Sequence, residues 1–142
     1  MADKTARDIM TAECKCVGED DTVLDAAKQL AELNVGAMPI CGSDDRLKGM
    51  ITDRDIVTKV IAQGHDPRAL HASELAQGPI ITVNADDDVD QVLSTMSTHG
   101  VRRLPVLDAD HKLVGIVAQA DVARALPAPR VGELLNALSS AR

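Results

Sequence analysis

Val35-Gly36-Ala37-Met38-Pro39-Ile40 and, behind it, Leu47-Lys48-Gly49-Met50-Ile51-Thr52-Asp53-Arg54-Asp55 decide the fold, because both stretches are written again further along the chain. The second copies read Val101-Arg102-Arg103-Leu104-Pro105-Val106 and Leu113-Val114-Gly115-Ile116-Val117-Ala118-Gln119-Ala120-Asp121. One offset aligns everything: Pro39 falls on Pro105, Asp20-Asp21 on Asp86-Asp87, Val23 on Val89, and Asp55 on Asp121, with no gap. Chance matching of apolar letters would not also keep Pro, Gly and Asp in order. The chain is therefore an internal repeat.

Each copy predicts the same elements. A short extended stretch, Cys16-Val17 or Ile81-Thr82-Val83, leads to an acidic cap that favours a helix start. Helical spacing follows in Val23, Ala26, Ala27, Leu30 and Leu33, and in Val89, Val92, Leu93 and Met96. Strands are predicted from Ala37 to Cys41 and from Leu104 to Leu107, then, after turn-forming residues, from Leu47 to Thr52 and from Leu113 to Ala118. A second helix starts at Asp53 and at Gln119. Pro39 and Pro105 inside strands point to edge or bulge positions. The fold class is α+β, two β-α-β-β-α repeats at 5–62 and 71–126, with a linker at 63–70 and a tail at 127–142. In the tail, Leu134, Leu135 and Leu138 fit one face of a short helix packed on the body.

Composition narrows the function. The 142 residues hold 45% apolar side chains and no Phe, Tyr or Trp, so the core is aliphatic and no ring is available to stack on a base. Asp plus Glu number 22 against 15 Lys plus Arg, a formal charge of −7 that argues against nucleic acid as a partner. The N-terminal residues carry no apolar signal-peptide core and no run reaches the length of a membrane span, so a cytoplasmic, non-membrane protein is expected. No Ser–His–Asp, paired-carboxylate or phosphate-loop pattern occurs, and an enzyme is not expected.

The doubled unit resembles the CBS domain pair, or Bateman module. Asp8-Ile9-Met10-Thr11 matches that family's opening, the two Pro-centred stretches its central strand, and the Gly49–Asp55 and Gly115–Asp121 stretches its closing segment. The resemblance covers roughly residues 5 to 126 and leaves no catalytic domain over. It implies repeats packed sheet to sheet about a pseudo-two-fold axis, with inter-repeat clefts that take AMP, ADP, ATP or S-adenosylmethionine, and a homodimer of such pairs. In length and cysteine positions the chain is similar to small stand-alone members of the family that serve in stress responses.

By the same resemblance, an Asp closing a Gly-h-h-Thr-x-x-Asp pattern (h, apolar) holds the ribose. One carboxylate can accept from both hydroxyls of a cis-diol, and the Thr hydroxyl and the free N–H groups of a helix start suit a phosphate or ribose oxygen. Gly49, Thr52 and Asp55 complete the pattern, whereas the second copy keeps Gly115 and Asp121 but has Ala118 for Thr. The two sites are therefore expected to be unequal, the first being the better. Helix capping is the plain alternative for both aspartates. Met38, Pro39 and Ile51, with Leu104, Pro105 and Val117, are implied to line adenine, their alternative role being core. Arg102 and Arg103 are implied to meet phosphate, against the alternative of a solvated surface.

Three cysteines, an odd number, argue against an obligatory disulfide framework. Cys16 aligns with Thr82 on the opening strand and Cys41 with Leu107 at a core strand position. If those strands are neighbours, Cys16 and Cys41 come within disulfide reach as a redox pair. Cys14-x-Cys16 near Cys41, His65 and His71 also invites a zinc reading, but thiolates one residue apart lack the usual spacing, and no metal is expected. The expected function is a stand-alone regulatory module that binds an adenosyl ligand and acts through a separate effector protein. The alternatives are a ligand-free dimeric interaction protein and a redox- or metal-responsive stress protein that uses Cys16 and Cys41.

Overall fold

The computed structural model describes residues 4–12, 15–76 and 80–139, and in the last helix the side chains of residues 131, 134 and 137–139 are not described. The chain divides into two compact units. One comprises Lys15–Ile80 and is called here the first-repeat unit; the other comprises Met1–Cys14 with Ile81–Arg142, the second-repeat unit.

In the first-repeat unit, β2 (Val17–Gly18) precedes α2 (Val23–Leu33), β3 (Ala37–Cys41) and β4 (Leu47–Thr52). The sheet order is β2-β3-β4, with β2 parallel and β4 antiparallel to β3. Thr22 caps α2 by accepting the Asp25 N–H at 3.1 Å, and Asn34 ends it in the left-handed region at φ 54. Val23, Ala26 and Leu30 bury one face of that helix against Met38, Ile40 and Ile51. After β4 the chain forms the short α3 (Asp53–Asp55), which runs on as a π-helical stretch, Ile56–Ile61. Ile56 and Val60 are buried, while Val57 and Ile61 are 58% and 57% exposed. This four-residue recurrence is what a π-helix, wider than 3.6 residues per turn, presents on each face.

The second-repeat unit repeats the plan as β5 (Val83–Asn84), α4 (Val89–His99), β6 (Arg103–Leu107), β7 (Leu113–Ala118) and α5 (Gln119–Ala125), followed by α6 (Ala128–Ser139). The matching register survives into backbone detail. Gly100 ends α4 as Asn34 ends α2, Asp45 and His111 both take positive φ in their hairpin turns, and both hairpins shift register at the same place, Ile40/Cys41 and Val106/Leu107. In each turn an aspartate folds back on the main chain. Backbone N–H donation from Arg46 and from Lys112 holds the Asp44 and Asp108 carboxyls below the ordinary carboxylate range. Pro39 and Pro105 lie in the central strands, β3 and β6, not at a sheet edge. They are tolerated there because the parallel partners are two residues long: pairing with β2 begins at Ile40, and pairing with β5 at Val106, one residue beyond each proline. Arg130 of α6 reaches Asp90 of α4 at 2.6 Å and holds the tail on this unit. Leu135 is exposed; the proposed Leu134 and Leu138 contacts lie outside the described side chains.

The opening segment departs from a simple reading of the repeat. α1 (Ala6–Ile9) and β1 (Thr11–Ala12) join the second-repeat unit, β1 pairing antiparallel with β7. Val89 N–H donates to Lys4 O at 3.1 Å and Ala6 N–H to Asp87 O at 2.8 Å. Residues 70–76, which stand one repeat further on, do the same for the first-repeat unit. Val23 N–H donates to Leu70 O at 2.9 Å and Ala72 N–H to Asp21 O at 2.7 Å. Each opening even carries the same backward cap. Asp8 accepts from Thr5 N–H at 2.9 Å, and Glu74 from His71 N–H at 2.6 Å. The two sequence repeats thus exchange openings, and each opening satisfies helix-start donors of the other repeat's body.

That exchange explains the two motif glycines. A Cβ on Gly115 would stand 2.5 Å from Met10 Sδ and 2.7 Å from Thr11 O, and one on Gly49 would collide with Ala76. Each glycine lets an opening segment lie flat on a strand, so its presence in the pattern is a packing requirement.

Candidate functional site

The site grows from the point where β4 turns into α3. Thr52 is extended (φ −122, ψ 157) and its hydroxyl accepts the Asp55 N–H at 3.0 Å. This cap starts the helix and satisfies one of its free N–H groups with a side chain. Asp53 N–H donates to Gly36 O at 3.0 Å, which ties the helix start to the residue before β3. The Asp53 carboxylate accepts from the next N–H, that of Arg54, at 2.8 Å. Asp55 pairs with Lys59 Nζ at 3.3 Å, and its side chain remains 24% exposed. Thr52 and Asp55, singled out in the sequence, are thus brought together at one corner, with Asp53 and Gly36 beside them.

The equivalent corner of the second-repeat unit is built differently. Ala118 offers no hydroxyl to the Asp121 N–H, and the Asp121 side chain turns back on the helix start: Oδ2 accepts Ala118 N–H at 2.8 Å. Its other oxygen accepts from Arg124 Nη2 at 2.5 Å, and the side chain is 12% exposed. Arg103 stands opposite Ala118 in the β6–β7 ladder, and Gln119 N–H donates to Arg102 O at 2.9 Å, so both arginines lie at the same corner as Asp121 and both are exposed. The missing hydroxyl was legible in the sequence; that Asp121 would turn back onto the Ala118 N–H was not. Nor were the cations Lys59 and Arg124, which become partners only once the helix places them three or four residues beyond each aspartate.

The residues implied to line adenine belong to the cores. Met38 is 2% exposed, and Ile51, Leu104 and Val117 are wholly buried, each within its own unit's cluster. Pro39 and Pro105 are also buried.

Cys16 and Cys41 form a disulfide with Cα atoms 5.7 Å apart, joining the start of β2 to the end of β3. Cys14 lies outside the described residues. A disulfide sulfur carries no thiolate with which to ligate a metal. Among the described residues no group of three or more His, Cys, Asp or Glu is placed to hold a metal ion. His71 Nδ1 instead sits 2.8 Å from Asp20 O and helps close the opening segment onto the body. Among the described residues, no helix is long and apolar enough to cross a membrane.

Two β-α-β-β-α units, each closing on a glycine strand that turns into an Asp-bearing helix, define a CBS domain pair. The chain belongs to the CBS domain family, whose model matches residues 6–62 and 72–128. It is 49% identical over 136 residues to Hypoxic response protein 1 of Mycobacterium tuberculosis, covering 96% of this chain and 94% of that protein. A crystal structure of Hypoxic Response Protein I with two coordinated zinc ions superposes with a TM-score of 0.81 at 52% identity, over 87% of this chain and 100% of the other. The CBS domain pair of protein MJ0100, in complex with 5′-methylthioadenosine and S-adenosyl-L-methionine, superposes at 0.77 with 29% identity, over 87% of this chain and 96% of the other. CBSX2 in complex with AMP superposes at 0.73 with 27% identity, over 85% and 94%.

Proposed function

We propose that the protein is a regulatory module that binds an adenosyl ligand at the Thr52–Asp55 corner of the first-repeat unit and passes the signal to an effector protein. The observation that carries this reading is the state of Asp55 at that corner. Thr52 caps the helix, and the Asp55 carboxylate, paired with Lys59 and not turned back onto the main chain as Asp121 is, can accept from both hydroxyls of a ribose. Structures of the MJ0100 pair and of CBSX2 with adenosyl ligands support the ligand class. In this reading the backbone at Met38 and Pro39 meets the adenine edge, Ile51 backs it from the core, and Leu104, Pro105 and Val117 are the second-repeat equivalents. Asp121, Arg102 and Arg103 form the weaker second site. AMP, ADP, ATP and S-adenosylmethionine are the candidate ligands, and regulation rather than catalysis is the output. The exposed pair Val57 and Ile61 supports self-association as a homodimer.

The absorbance spectrum of the desalted protein tests the reading. The chain has no Trp and no Tyr, so a retained base would dominate near 260 nm. An adenine-type band that leaves with the filtrate after denaturation is the expected result for a tightly held ligand. A flat spectrum, followed by no thermal shift with any adenosyl compound, would overturn it. A second reading, a redox-responsive stress protein, is favoured by one observation, the Cys16–Cys41 disulfide. In a reducing cytoplasm such a bond would be a responsive feature and not a permanent one.

A further inference from the structure

We propose that the first-repeat corner selects adenosyl ligands whose 5′ substituent is uncharged or cationic, and that Asp53 together with Gly36 makes the choice. The proposal rests on the adenosyl reading of that corner and adds the charge class of the ligand. Two positions meet across the same backbone hydrogen bond in each repeat. In the first they are Asp53 and Gly36, joined at 3.0 Å; in the second they are Gln119 and Arg102, joined at 2.9 Å. Identical backbone geometry therefore presents a carboxylate in one repeat and a guanidinium in the other.

The wider corners differ in the same sense. Around Thr52, the carboxylates Asp53 and Asp55 are balanced by Arg54 and Lys59. Around Ala118, the single carboxylate Asp121 stands with Arg102, Arg103 and Arg124. Asp55 already holds Lys59, so a ligand reaching for Asp55 finds that cation neutralised. Asp53 is exposed and adjacent to the capping Thr52. In this proposal a ribose held by Asp55 turns its 5′ group toward Asp53, two residues before it at the same helix start. A phosphate there meets like charge, a thioether meets none, and a sulfonium gains attraction.

The structure also supplies a clean test variant. Gly36 is not in the left-handed region, and a Cβ added there would make ordinary contact with Asp53 Oδ2 at 3.5 Å. Gly36→Arg combined with Asp53→Gln transplants the second corner's residues onto the first. Affinities for 5′-methylthioadenosine, S-adenosylmethionine and AMP are to be measured by titration calorimetry in metal-free buffer. The native protein is expected to bind the first two at least tenfold more tightly than AMP, and the double variant is expected to reverse that order. AMP binding as tightly as 5′-methylthioadenosine, with the order unmoved in the variant, would overturn charge selection and leave the adenosyl site standing. Failure of all three compounds to bind the native protein would overturn the site itself and this proposal with it. Should circular dichroism show the double variant misfolded, Asp53→Asn alone is expected to raise AMP affinity at least threefold, and no gain would overturn the proposal.

Discussion

Asp55→Ala is expected to weaken adenosyl binding about a hundredfold and to leave the fold standing. The loss follows from removing one ionised acceptor that serves two hydroxyls. Hydrogen bonds to a charged group contribute roughly 1.5–3 kcal/mol each, and about 2.7 kcal/mol is a hundredfold in affinity. The fold survives because the helix start does not depend on this side chain. The capping bond runs from the Asp55 main-chain N–H to the Thr52 hydroxyl, and alanine keeps that N–H. The carboxylate's pair with Lys59 is half exposed on the lysine side, and such pairs contribute less than about 1 kcal/mol. Titration calorimetry gives the affinity and thermal unfolding gives the control. An unchanged affinity in a folded Asp55→Ala protein would remove Asp55 from the site.

Reduction of the Cys16–Cys41 bond is expected to destabilise the protein by about 3 kcal/mol. The bond closes a loop with a sequence separation of 25 that contains α2. The loss of denatured-state freedom for a loop of that size corresponds to roughly 3–4 kcal/mol. It also reinforces the weakest joint of the first sheet, where β2 meets β3 through only two residue pairs. The effect should be local. Amides of Val17 and Gly18 are expected to lose hydrogen-exchange protection on reduction, while β5, whose repeat has Thr82 and Leu107 at the equivalent positions, keeps its own. Denaturant unfolding of the oxidised protein, the reduced protein and Cys16→Ser/Cys41→Ser measures this. Equal midpoints for all three would contradict the account and take away the basis of a redox role.

Much of the fold was legible because the chain says it twice. The Pro-centred strands, the strand ends at Thr52 and Ala118 and the helix starts at Asp53 and Gln119 each had a second witness in the other repeat. What escaped was whatever depends on contacts distant in sequence. Thr5-x-x-Asp8 and His71-x-x-Glu74 lie in register with each other, which marks them as equivalents, but nothing local says that the carbonyls just before them, Lys4 O and Leu70 O, accept helix-start N–H groups of the other repeat's body. The prolines were read as edge or bulge residues because a proline removes a ladder donor. They sit centrally because the parallel partners β2 and β5 stop short of them, a fact about strand length that pattern alone does not give.

The candidate site divides in the same way. The pattern Gly49-x-x-Thr52-x-x-Asp55 and its broken copy at Ala118 were visible in the sequence, and with them the inequality of the two corners. The physical form of that inequality was not. Asp121 is drawn back onto Ala118 N–H and Arg124, whereas the Asp55 carboxylate pairs with Lys59 while the Thr52 hydroxyl accepts the Asp55 main-chain N–H. The glycines of the pattern proved to be about packing, since Gly115 lies against Met10 and Thr11, and Gly49 against Ala76. The implied adenine platform was drawn from residues whose apolar character serves the cores equally well, and Ile51, Leu104 and Val117 are wholly buried there.

The measurement that bears most directly on the central claim is an amide-resolved NMR titration of the native protein with S-adenosylmethionine. The account predicts saturable shifts concentrated at Gly36 and residues 51–55, with smaller or no shifts at residues 118–121. Shifts confined to residues 118–121, or none anywhere at saturating ligand, would contradict it.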